Sequence, residues 1–71
     1  MSYKEPYIKA IIEVLSKGDY TFDEIKSKLK EGGLKNYWLM REALLELLKK
    51  GLVEKYPNYE KKKFRFRLKK P

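Results

Sequence analysis

Seven of the last eleven side chains, Lys61, Lys62, Lys63, Arg65, Arg67, Lys69 and Lys70, are cations, and the stretch KKKFRFRLKKP contains no acid. The preceding sixty residues hold eleven Lys or Arg against ten Asp or Glu, so seven of the eight net positive charges sit in this one stretch. Clustered ammonium and guanidinium groups do one kind of chemistry well, the neutralisation of phosphates. Apolar residues also recur at every second position, and a strand turns successive side chains to opposite faces. Phe64, Phe66 and Leu68 are therefore expected to enter a core, while Lys63, Arg65, Arg67 and Lys69 form a cationic row on the other face. A folded, one-sided basic surface is an electrostatic footprint for a polyanion, most often nucleic acid.

Other chemistries are poorly supplied. The chain has no histidine and no cysteine, which removes the usual general base, the thiolate nucleophile, the zinc ligands and any disulfide. Its three serines, Ser2, Ser16 and Ser27, are scattered, and the carboxylate pairs Asp23 with Glu24 and Glu42 with Glu46 fall in solvent-facing helical patterns that solubility or capping explains. No catalytic residue, cofactor, metal or small-molecule substrate is expected. The N-terminus MSYKEPYIKA has no long apolar run, and no stretch reaches the length of a membrane span, so a cytoplasmic protein is expected. Heavy use of Lys and Glu, with no Gln and two Asn, resembles hyperthermophile composition.

The elements that must position the cations follow from punctuation and period. With 71 residues there is room for one small domain, residues 1–71. A first helix is expected over about 6–17, with proline in its first turn and Ile8, Ile11, Ile12 and Leu15 on one face. A second, over about 22–31, opens with a Thr21-x-x-Glu24 capping box and a Tyr20/Ile25 staple, turns Phe22, Ile25 and Leu29 inward, and stops at Gly32-Gly33. A third runs from the cap residue Asn36 to Lys50, before Gly51. Strands over about 52–56 and 63–68 flank the turn chemistry of Pro57-Asn58-Tyr59-Glu60. A lone hairpin is marginal in water, so Val53, Tyr56, Phe64, Phe66 and Leu68 are expected to pack onto the helices.

Three stretches in this order, YTFDEIKSKL, ALLELLKKGLVEKY and KKKFRFRL, resemble a winged helix-turn-helix domain of the small archaeal, transcription-regulator-like kind, and the resemblance covers nearly the whole chain. It implies an α+β fold, three helices followed by a two-stranded β-hairpin wing. The third helix would enter the major groove of double-stranded DNA, and the wing would contact the backbone or the adjacent minor groove.

A helical projection of residues 36–50 puts Tyr37, Met40, Ala43, Leu44, Leu47 and part of Leu48 inward, and Trp38, Leu39, Arg41, Glu42, Leu45, Glu46 and Lys49 outward. Arg41 is the base-reading candidate, since bidentate Arg to guanine is the commonest specific contact. Lys35, Asn36 and Trp38 complete the nucleic-acid set on this side. Glu42 and Glu46 oppose phosphates, and Trp38, Leu39 and Leu45 make an apolar ridge of the kind found at protein contacts. The alternative is thus an adaptor or subunit that binds itself, as a homodimer, or a partner protein through that ridge, unless Tyr3 or Tyr7 covers Trp38. RNA is a third reading, and a membrane surface a weaker one, since no amphipathic basic helix accompanies the strand.

Overall fold

The computed structural model describes residues 3–60 and 62–69. Helix α1 spans Glu5–Ser16, a short strand β1 Tyr20–Thr21, α2 Phe22–Glu31, α3 Tyr37–Lys49, β2 Val53–Asn58 and β3 Lys63–Leu68. Thr21 caps α2 reciprocally: its side chain accepts from the Glu24 N–H, while the Glu24 carboxylate accepts from the Thr21 N–H at 2.9 Å. Asn36 caps α3 by accepting from the Leu39 N–H at 3.1 Å. Both helices end in the same way. Gly33 and Gly51 take φ of +91° and +75°, and the amides of Leu34 and Leu52 reach back to the carbonyls of Leu29 and Leu47 at 2.9 and 3.0 Å. These are Schellman closures, which place a residue in the left-handed region that glycine enters without a Cβ penalty.

The core lies where α1 meets α2, α3 and the sheet, and Ile11, Ile25, Leu29, Met40 and Leu47 are its fully buried centre. On α1 the buried stripe is Tyr7, Ile11 and Leu15, with Ile8 packed at its side. Ile12, expected inward, is 36% exposed. It lies about 100° round the helix from Ile11, and the stripe is centred on residues one turn apart. Tyr7 takes the place beside the core because its hydroxyl accepts from the Asn36 N–H at 3.0 Å, joining α1 to the start of α3.

The expected two-stranded hairpin is a three-stranded antiparallel sheet in the order β1-β3-β2. Tyr20 and Thr21 pair with Phe66 and Arg65, so the middle of β3 is an inner strand, not an edge. Register sorts the faces. Val53, Lys55 and Pro57 lie opposite Leu68, Phe66 and Phe64, while Glu54, Tyr56 and Asn58 lie opposite Arg67, Arg65 and Lys63. Val53 and Phe66 are buried and Leu68 packs against them. Two expected core residues are elsewhere. Tyr56 is an odd number of residues from Val53 and so lies on the outer face, where its hydroxyl donates to Asp19. Phe64 has the inward parity but is 52% exposed, because an open cleft separates it from α3.

Candidate nucleic-acid interface

The cationic row on β3 forms as its alternation requires, but most of it is partnered. Lys63 meets Asp23 at 2.8 Å, Arg65 approaches Glu24 at 3.8 Å, and Arg67 meets Glu54 at 3.3 Å while lying 5.0 Å over the Tyr56 ring. The hydrogen bond and charge of Lys63 hold the Asp23 carboxyl below its ordinary range, and Asp23 raises Lys63 in return. The acids come from the first turn of α2 and from β2, so this face fastens the hairpin to α2 as well as carrying charge. Lys69 is exposed beyond the paired set. Lys61 and Lys70 lie outside the described residues.

The opposite face of the hairpin is arranged differently. Lys55 shares that face with Phe64 and Phe66, and its ammonium stands 4.9 Å from the Phe64 ring centroid. Across from it, α3 presents Arg41 and Leu45. Between them lies an open cleft of about 200 Å³ with Phe22, Tyr37 and Phe64 on its walls, lined by two cations and no acid. Neither Arg41 nor Lys55 has an ion pair among the described residues. A second hollow follows on toward the tip of the β2–β3 hairpin, lined by Pro57, Tyr59, Lys62 and Phe64 among others.

On α3 the projection holds for Met40, Ala43, Leu44 and Leu47, all buried, and fails at three positions. Tyr37 is 49% exposed and stands edge-on to Phe22, with ring centroids 5.6 Å apart. Leu39, expected on the outer ridge, packs against the core. Glu46 is turned to α1, where Lys4 meets it at 2.9 Å, with Lys50 at 3.6 Å, and these contacts hold its carboxyl below the ordinary range. One of the two acids expected to oppose phosphates is thus spent on helix packing. Trp38 is 62% exposed and Leu45 40%, whereas Tyr7 is buried and Tyr3 is 85% exposed, so neither tyrosine covers the indole. Lys35, Asn36 and Lys49 are exposed on the same helix and its entry.

Comparison with protein-family models, with curated proteins and with solved structures finds no match. What the chain itself establishes is an α+β domain of three helices and a small three-stranded antiparallel sheet, a layout compatible with a winged helix. Among the described residues, no helix is long and apolar enough to cross a membrane, and no group of three or more His, Cys, Asp or Glu is placed to hold a metal. Sequence reasoning did not bring Lys55 into the candidate set, although it lines the cleft. Its signal was present, since parity with Val53 puts it on the face of Phe64 and Phe66.

Proposed function

We propose that this is a winged-helix protein that binds double-stranded DNA, as a transcription regulator or a chromatin-associated protein. Helix α3 lies toward the major groove and the β2–β3 hairpin follows the adjacent backbone. The observation that carries the reading is the cleft between α3 and the hairpin, to which Arg41 and Lys55 contribute unpaired charge and no acid contributes any. Lys62 lies in the adjoining hollow, which shares Phe64 with the cleft, and Lys35, Lys49 and Lys69 are exposed and available to further phosphates. Arg41 is the one arginine on the exposed arc of α3, so sequence preference is weak and affinity is mainly electrostatic. Lys63, Arg65 and Arg67 contribute less than their number implies, because a phosphate must compete with Asp23, Glu24 and Glu54 for them.

Salt-titrated binding to a random duplex tests this. Each phosphate contact contributes roughly 0.9 to the slope of log affinity against log salt. The Arg41→Ala/Lys55→Ala variant is expected to bind roughly 10- to 100-fold more weakly, with the slope reduced by about 2. Unchanged affinity and slope would remove the reading.

A second reading, an adaptor or a homodimer contact, is favoured by one observation, the 62% exposure of Trp38 beside Leu45. Leu39 is committed to the core and drops out of that ridge. If the ridge is not a self-contact, Trp38→Ala/Leu45→Ala leaves the sedimenting mass of the free protein unchanged. A dimer that this variant dissociates, with duplex affinity retained, favours the contact surface instead.

A further inference from the structure

The aromatic content of the cleft exceeds what contact with a duplex backbone uses. Tyr37 and Phe64 both line it, 49% and 52% exposed. Trp38, next to Tyr37 on α3, is 62% exposed, and Tyr59, which shares the second hollow with Phe64, is 86% exposed. Phe64 is shared by the cleft, which also holds Tyr37, Arg41 and Lys55, and by the hollow that holds Tyr59 and Lys62, and Trp38 lies one turn from Arg41 on α3. In a duplex the π-faces of the bases are occupied by their neighbours, so protein rings have none to stack on. An unpaired strand offers every base face, and alternating rings and cations are the recognition chemistry for it.

Resting on the DNA reading above, we infer that the face between α3 and the wing takes an unpaired DNA strand next to the duplex, its bases stacking on Tyr37, Trp38 and Phe64 and its phosphates meeting Arg41 and Lys55. Charge complementarity selects the occupant. An apolar protein helix would leave two cations unpaired in the cleft, whereas a strand supplies a phosphate at each step. Phe64 has a role in this account that its exposure otherwise lacks, since the core ends before reaching it.

The chain has one tryptophan, so Trp38 emission reports stacking directly. The full chain is titrated at one salt concentration with a labelled blunt duplex, the same duplex carrying a single-stranded oligo(dT) tail, oligo(dT) alone and oligo(U) alone, following anisotropy and Trp38 fluorescence. The tailed duplex is expected to bind at least about fivefold tighter than the blunt one and to quench Trp38. Trp38→Ala and Phe64→Ala, checked for folding by thermal melting, are each expected to weaken oligo(dT) binding by roughly 5- to 100-fold and to remove the preference for the tailed over the blunt duplex. Trp38→Phe keeps a ring and retains most of the oligo(dT) affinity. Equal binding of tailed and blunt duplexes, without quenching and with neutral alanine variants, overturns this inference and leaves the duplex reading standing. Tighter binding of oligo(U) than of oligo(dT) overturns the assignment to DNA. Failure to bind any of the four overturns the DNA reading itself.

Discussion

Thr21 does three things in one position. It is buried, its backbone pairs with Arg65, and its side chain closes the capping box at the start of α2. Thr21→Ala removes the cap acceptor and is expected to destabilise the domain by about 1 kcal/mol, measured by thermal or denaturant unfolding, with Thr21→Ser close to neutral. Two residues on, Asp23 has the opposite kind of importance. Its pair with Lys63 is exposed, so it contributes little to stability, but it withholds a cation from any polyanion. Asp23→Asn is expected to raise duplex affinity by about two- to fivefold at low salt and to leave the melting temperature nearly unchanged. A fall in affinity would mean that the pair orients the wing and does not mask it.

At the scale of elements, the helices were legible because their ends carry chemistry: the capping box at Thr21 and Glu24, the Asn36 cap, and glycines past α2 and α3. That legibility makes a sharp contrast available. Gly33→Ala or Gly51→Ala forces a Cβ into a left-handed backbone and is expected to cost about 1–2 kcal/mol, although the space around each is open. Gly32→Ala, at φ −85°, carries no such penalty. Equal unfolding free energies for Gly32→Ala and Gly51→Ala would contradict the closure assigned to α3. Strand β1 was not legible, because two residues give no alternation and Thr21 already reads as a cap. Tyr37 and Phe64 were misplaced for a different reason. Periodicity fixes which way a side chain points, but not whether anything lies above it, and at both positions the core has run out.

For the whole molecule, a count of charges in the sequence shows neither which cations find acids on folding nor which come to line one cleft. The basic C-terminal strand looked like the binding face because its cations are adjacent in sequence, yet Asp23, Glu24 and Glu54 converge on it only after folding. Arg41 and Lys55 are 14 positions apart and meet only when β2 turns back along α3. A domain this small cannot cover both ends of its sheet, and the uncovered end, with its aromatics and unpaired cations, is the face proposed for binding. The most direct test of that placement compares two double variants by salt-titrated duplex binding. Arg41→Ala/Lys55→Ala is expected to lower the salt slope by about 2, and Arg65→Gln/Arg67→Gln by less than about 1. The reverse order would return the interface to the outer face of β3 and contradict the account.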